Sequence, residues 1–405
     1  MNMKLTLQLL LSSLLISLSL QKGLYKWKYI DYDWIDNNQA KYYKDNGLYV
    51  EDASTPIDTL IANGKVFITI PRSAGVPASI GTLNKNKISG GGPVVRPYPN
   101  WGWADIRKNC NETIISVYRI DIDKCGRLWV LDNGKNGDIT LCPQKLIAFD
   151  LKSNKVVLIK EIPNKYGANS NGTGVLVTPL VITKGKECQH LTVYMADISG
   201  YGLVIWRGDD NFQRFESPAF AKDPKASNFD IDNNKFSLND GVVGLAMFIG
   251  DPDIKCKTLF CSKLYFSSLC SYDMYHVSVN SLKSSKSTDQ EIIQDKGDVH
   301  FRKMSLAIEH HTMYFSSLED YSLRKWDVRI KFTNENAKVI KQDKSLLNFV
   351  SGLKIMKNKV KNDHNCTRVY GLSNKYERTA AKKRNTNEIN YNIFMYNLCG
   401  KDASD

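Results

Sequence analysis

The chain has 405 residues, of which 42% are hydrophobic, a formal charge of +13 and nine cysteines. That apolar content supports a large buried core, and the length admits two or three domains. After the N-terminal stretch no segment is apolar for long enough to cross a bilayer as a helix, so no membrane insertion is expected.

The first residues, MNMKLTLQLLLSSLLISLS, place one lysine before a Leu-rich run that ends in small residues. This pattern predicts a secretory signal peptide over residues 1–19, cut after Ser19, and a secreted protein made of residues 20–405. Export makes nucleic acid an unexpected partner. The positive charge implies only generic attraction to polyanions, because the lysines are spread through predicted loops.

Downstream, patterns of period 3.6 are scarce and short aromatic-rich apolar runs bounded by Gly, Asn, Asp or Pro dominate, so the expected fold class is all-β. One phrase recurs six times: VFITIPRS from Val66, LWVLDNG from Leu128, VYMADIS from Val193, LYFSSLC from Leu264, MYFSSLE from Met313 and VYGLSNK from Val369. Each copy precedes a second apolar strand, and the starts are 62, 65, 71, 49 and 56 residues apart. Such steps suit a four-stranded antiparallel sheet with its loops. Six such sheets bury their edges and faces best when arranged around an axis, which predicts a six-bladed β-propeller in one domain.

On this reading the repeated phrase is the innermost strand of each blade, and its exits ring one mouth of the axial channel. The exits are Arg72 and Ser73, Asp132 and Asn133, Asp197 and Ser199, Ser267 and Ser268, Ser316 and Ser317, and Ser373 and Asn374. The NDGVVG loop adds Asp240, and NWGWAD adds Trp101, Trp103 and Asp105. Asp132, Asn133, Asp197, Asp240, Ser373, Asn374 and Tyr376 are the candidate ligand-binding residues. Asp, Asn and Ser at strand ends also cap turns, and both readings stand for Asp132, Asp197 and Asn374.

No catalytic constellation is expected. The six histidines, His190, His276, His300, His310, His311 and His364, match no HExxH or GxSxG context, and His310 and His311 read as a hairpin turn. There is no CxxC and no zinc-like spacing, so no metal and no cofactor are predicted. GGGP at Gly90–Pro93 lacks the lysine and helix of a phosphate loop and reads as a turn.

Nine cysteines in an exported chain imply disulfides and at least one leftover thiol. Spacing alone does not fix the connectivity. On the propeller reading Cys366 and Cys399 fall on neighbouring strands of the last blade, while Cys125 and Cys188 precede equivalent strands of successive blades and can be joined. That leaves Cys110 for Cys142, with one more bridge and the odd thiol among Cys256, Cys261 and Cys270. Asn111, Asn171 and Asn365 open N-glycosylation sequons.

Together YKWKYIDYDW, FITIPRSAGVPASIGTL, GGGPVVRPYPNW, IDIDKCGRLWVLDNG, VYMADISGYGLVIW and DGVVGLAM resemble the Yellow and major royal jelly protein family of insects, from about Tyr25 to Leu398. The GGGPVVRPYPNW and SVYRIDID phrases are closer to the royal jelly branch. The resemblance implies a secreted propeller whose function varies by branch: melanin-related dopachrome conversion, biogenic-amine binding in the axial cavity, or a nutritive glycoprotein or venom component, with sterol binding and oligomers in one lineage.

Ser373, Asn374, Lys375 and Tyr376 match the Ser-Asn-x-aromatic exit of amine-binding relatives, although Lys375 opposes a cationic ligand. Lys325 stands where many relatives have cysteine, which removes the family partner of Cys399. The leading expectation is a non-enzymatic, royal jelly-type secreted glycoprotein that holds a small apolar or aromatic ligand, an amine or a sterol. The alternatives are a dopachrome-converting enzyme with Asp132, Asp197 or Asp240 as base, and an amine carrier.

Overall fold

In the computed structural model, six four-stranded antiparallel sheets follow one another along the chain. Residues 21–185, 187–250, 262–283, 292–295, 299–356 and 366–399 are described. Blade 1 comprises Asp58–Ala62, Lys65–Thr69, Ile80–Ser89 and Gly92–Pro97, and blade 2 Val117–Ile122, Arg127–Asp132, Lys145–Asp150 and Lys155–Glu161. Blade 3 is Leu176–Lys184, His190–Asp197, Gly202–Trp206 and Phe212–Glu216; blade 4 is Val242–Phe248, Lys263–Ser268, Met274–Ser278 and Ile292–Asp295. Blade 5 is Leu306–Glu309, Thr312–Ser317, Ser322–Asp327 and Lys338–Gln342. Blade 6 takes Val350–Met356, Cys366–Ser373 and Tyr391–Cys399 from the end of the chain and Gln21–Trp27 from its beginning.

The first strand of every blade packs on the first strand of the next, and that of blade 6 packs on that of blade 1. The ring is therefore closed, and the six first strands surround the axis: a six-bladed β-propeller.

One expectation is corrected. The repeated apolar phrase is the second strand of each blade, and the innermost strand is the weaker segment before it. A second strand has a neighbour on each side and blades on both faces, so nearly every residue is buried: Arg127–Asp132 and Thr312–Ser317 are buried in all but their first residue. It therefore reads as a continuous apolar run. The innermost strands carry polar side chains toward the axis, such as Arg119 in VYRIDI and Thr178 in LVTPLVITK, and this weakens their apolar signature.

Ring closure is made by the chain's beginning. Gln21–Trp27 pairs antiparallel with Tyr391–Cys399, with Trp27 opposite Tyr391 and a bulge between Gly23 and Tyr25. The fully buried Trp27 packs with Val66, Ile68, Val95, Leu372 and Ile393, residues of blades 1 and 6. Its indole N–H donates to the Pro93 carbonyl at 2.7 Å, so a buried polar atom is satisfied across the blade boundary.

Second strands end, and first strands begin, at the same face of the ring. Long connections gather there, including residues 98–116, 162–175 and 217–241. Cys110–Cys142 clips two of the loops on this face, and Cys125–Cys188 joins blades 2 and 3 on the opposite face. Cys366 and Cys399 are register partners on adjacent strands; their side chains, and Cys256 and Cys261, lie outside the described residues. Cys270 is buried and unbridged. Asn111 and Asn171 are exposed on loops, whereas Asn365 and the 1–19 leader lie outside the described residues. Gly90 and Gly91 form a turn, as do His310 and His311. Among the described residues no helix is long and apolar enough to cross a membrane.

Removing the closing tryptophan tests how much the seam contributes. Trp27→Ala is expected to cost about 3–5 kcal/mol, the usual range for deleting a buried large aromatic. Equilibrium unfolding in urea, with an unchanged slope and a lower midpoint, measures it.

Candidate functional site

The two strand-end aspartates are consumed by their own blades. Asp132 accepts from the amides of Ile115 (2.9 Å), Ser116 (2.8 Å) and Gly134 (2.9 Å) and pairs with Lys145 at 2.8 Å. Lys145 is its register partner on the next strand, so the sheet itself delivers the cation. Gly134 serves this turn with a φ of +73°, and a Cβ there would lie 1.9 Å from the Cys142 carbonyl oxygen. Asp197 repeats the arrangement, accepting from Val175 (2.7 Å) and Gly200 (2.9 Å) and pairing with Arg214 at 2.9 Å. Asn133 accepts from the Lys135 amide at 3.0 Å. These groups stabilise the loops at the axial mouth and present no free carboxylate to it.

Other candidates hold the frame as well. Ser373 is buried and accepts from Asn392 at 3.4 Å. The Asn374 amide donates to the Pro56 carbonyl (2.9 Å) and to Ser351 Oγ (3.1 Å), bracing blade 6 against the entry to blade 1. Lys375, whose charge opposed a cationic ligand, donates to the Ile389 carbonyl at 2.5 Å. The Arg72 guanidinium serves backbone carbonyls of Val76, Pro77, Ala104, Ile114 and Ile115. Trp101 stacks on Trp34 at 5.1 Å, Trp103 meets Phe149, and Asp105 pairs with Arg107; none of the three joins the axial cluster.

Asp240 and Tyr376 do come together. An apolar cluster at the mouth unites Val177, Val243, Leu269, Met304, Leu318 and Phe349 with half-buried Tyr118, Tyr321 and Tyr376. Its members come from blades 2 to 6 or the connections leading into them, which only a site on the axis permits. The rings of Tyr376 and Phe349 are 5.2 Å apart.

Asp240 enters from the connection to blade 4. Its carbonyl accepts from the Cys270 amide (3.1 Å), and the Gly241 amide donates to Ile198 (2.9 Å). A Cβ at Gly241 would lie 2.4 Å from the Tyr201 ring, so only glycine allows this close approach. The Asp240 carboxylate makes no hydrogen bond or ion pair with the described residues. Burial pushes its pKa up to about 6, and the Arg119 charge only partly offsets this.

Arg119 lies deeper on the axis. It donates to Thr178 Oγ1 (3.1 Å) and the Ser351 carbonyl (2.9 Å), and burial pulls its pKa down to about 10 against the opposing fields of Asp58 and Asp240. Burial, reinforced by Asp240, raises the Tyr118 hydroxyl to about 12 and also raises that of Tyr376. The mouth thus offers the Asp240 carboxylate, without a bonded cation, beside aromatic rings; a second such carboxylate, Glu377 next to Tyr376, is fully buried, accepts from Asn348 at 3.1 Å and is raised to about 7 by burial. Such a group can attract an ammonium ion or take up a proton near neutral pH.

Asp240 and Tyr376 were legible as candidates, whereas Tyr118, Arg119, Phe349 and Phe236 were not. An arginine within an apolar innermost strand was the available signal. Elsewhere, Asp123, Cys125 and Cys188 bring three ligand-type atoms within 4.8 Å of one another. The two sulfurs are bonded to each other, and the Asp123 carboxylate accepts from Arg127 (2.6 Å) and Trp129 (2.9 Å), so this group holds no metal.

Because the folded-state pKa of Asp240 lies above the ordinary value of 3.8, the native protein binds more protons than the unfolded chain between about pH 4 and 6. Stability therefore falls as pH rises through that window, by up to about 3 kcal/mol from this group. In Asp240→Asn this share of the fall should disappear, while the share of buried Glu377, raised to about 7 by desolvation, remains. Urea midpoints taken every half pH unit for both proteins check this.

Comparison with known proteins identifies the family. The family model described as "Major royal jelly protein" matches residues 115–402. Major royal jelly protein 9 of Apis mellifera is 35% identical over 377 residues, covering 91% of this chain and 86% of the relative. Major royal jelly protein 8 of the same species is 30% identical over 393 residues, covering 93% and 90%. Among solved structures, virginiamycin B lyase from Staphylococcus aureus aligns with a TM-score of 0.39 and 12% identity over 85% of this chain and 96% of that one, too loose a likeness to bear on activity. The matched region holds the axial cluster and the innermost strands of blades 2 to 6, and the chain belongs to the major royal jelly protein family.

Proposed function

We propose that the protein is a secreted, non-catalytic member of this family, a component of a glandular secretion, that holds a small aromatic ligand at the axial mouth. Export is supported by the leader sequence and by two disulfides in the described residues. The observation that carries the ligand reading is the Asp240 carboxylate, without a bonded cation, near enough to the Tyr118 and Tyr376 rings of the axial cluster for its charge to raise both hydroxyls. It favours an aromatic amine over a sterol: a neutral sterol leaves the carboxylate desolvated and unpaired, whereas an ammonium ion neutralises it while its ring packs on Tyr376 and Phe349.

Calorimetry with serotonin, dopamine and cholesterol tests this reading. Amine affinity is expected in the micromolar range or tighter, weakened at least about tenfold in Asp240→Asn as a charge-assisted contact is lost. Asn374→Ala is the poorer variant, since that amide braces two blades. Amine heats equal to buffer in the wild-type protein would remove the ligand. The raised pKa of Asp240 also suits a general base for a dopachrome-type tautomerisation. The non-catalytic reading expects dopachrome to be lost no faster with native than with heat-treated protein.

A further inference from the structure

A two-stranded ribbon, Asn228–Ile231 and Asn234–Ser237, belongs to none of the six blades. It arises in the long connection between blades 3 and 4 and turns at Asp232 and Asn233, both with positive φ (52° and 59°) as a tight hairpin requires. Its residues alternate cleanly. Asn228, Asp230, Lys235 and Ser237 are exposed, while Phe229 and Ile231 are buried and Phe236 half-buried. The inward face joins the axial cluster, whose other members come from blades 2 to 6. The Phe236 ring is 6.2 Å from that of Tyr376 and stacks on Phe229 at 4.8 Å. The ribbon therefore lies across the opening beside Asp240.

Its two ends are held unequally. At the root, buried Arg302 donates to the Ala226 carbonyl (2.8 Å) and the Asn228 carbonyl (2.5 Å), lies 4.0 Å above the Phe229 ring, and pairs with Glu319 at 2.6 Å. At the tip the fastening is exposed: Lys344, from the connection into blade 6, pairs with Asp232 and lies over the Tyr321 ring, and Tyr321 bonds to the Asp232 backbone. A solvent-exposed ion pair holds far less firmly than a buried guanidinium shared among carbonyls and a ring. No ladder hydrogen bonds tie the ribbon to a blade.

We propose that this ribbon is a hinged cover for the axial site, fixed at Arg302 and released at the Asp232–Lys344 latch, and that its opening sets the rate at which a ligand enters and leaves. The part concerning ligand passage rests on the reading of the mouth as a binding site; the opening itself does not. Cys270 supplies a ligand-free reporter, because this unbridged thiol is buried in the same cluster at the root of the ribbon, hydrogen-bonded to Ser227.

Lys344→Ala, with Lys341→Ala on the outer strand of blade 5 as control, is compared with wild type in three measurements. These are amide hydrogen exchange across residues 228–238, maleimide labelling of the Cys270 peptide followed by mass spectrometry, and stopped-flow binding of serotonin. Loss of the latch is expected to speed exchange and labelling about two- to fivefold, the range of one exposed ion pair, with the blade strands unchanged. Serotonin association and dissociation should quicken by a similar factor, leaving Kd nearly constant.

Equal exchange and labelling in wild type and Lys344→Ala would overturn the cover. So would serotonin binding whose rate constants ignore the latch. If exchange and labelling quicken but serotonin binds to neither protein, the cover stands and the ligand reading falls.

Discussion

The propeller is organised around one buried cation. Arg119 reaches from blade 2 to Thr178 of blade 3 and to the Ser351 carbonyl of blade 6, spanning the axis. Its partners extend the network: Thr178 donates to the Val243 carbonyl of blade 4 (2.7 Å), Ser305 at the start of blade 5 to the Ser351 carbonyl (2.6 Å), and Ser351 to the Ile57 carbonyl beside blade 1 (2.6 Å). Six innermost strands each leave an unpaired edge facing the channel, and buried backbone groups need partners. A guanidinium with its fork of donors, backed by short hydroxyl side chains, meets that need without filling the channel with aliphatic groups. Asp58 and Asp240 flank the charge and offset its desolvation.

This solution shapes the site. Arg119 turns both terminal nitrogens to the frame and leaves its buried Nε without a partner, and its charge reaches Asp240 through space without forming a bonded pair. The mouth of a strongly basic protein thus keeps an anionic group whose nearest cation is occupied. Lys375, which looked adverse in the sequence, is tied to a loop carbonyl, and Lys145 is tied to Asp132.

The architecture was legible because second strands are buried on both faces and must be apolar throughout, which makes six copies countable. The same property makes the conspicuous strand read as the innermost, whereas axial strands need polar groups such as Arg119 and Ser351. Asp132 and Asp197 show why strand-end carboxylates are ambiguous. Their cations come from the third and fourth strands, from positions that spacing does not single out. Asp240 stood out by its NDG turn, but the aromatic surroundings that desolvate it come from opposite ends of the chain, Tyr118 from blade 2 and Tyr376 and Phe349 from blade 6, and meet only after the ring closes.

Closure by Gln21–Trp27 has a kinetic consequence. The strand made first at the ribosome has its only sheet partner in Tyr391–Cys399, made almost last. During synthesis it waits as an unpaired apolar edge through five blades of intervening chain, and the seam forms only after the final strand is released. Contacts local to blades 2 and 3, with the Cys125–Cys188 crosslink, can mature much earlier. Assembly is therefore expected to pass through an open arc of finished blades, vulnerable to joining a neighbour's arc until its own two ends meet.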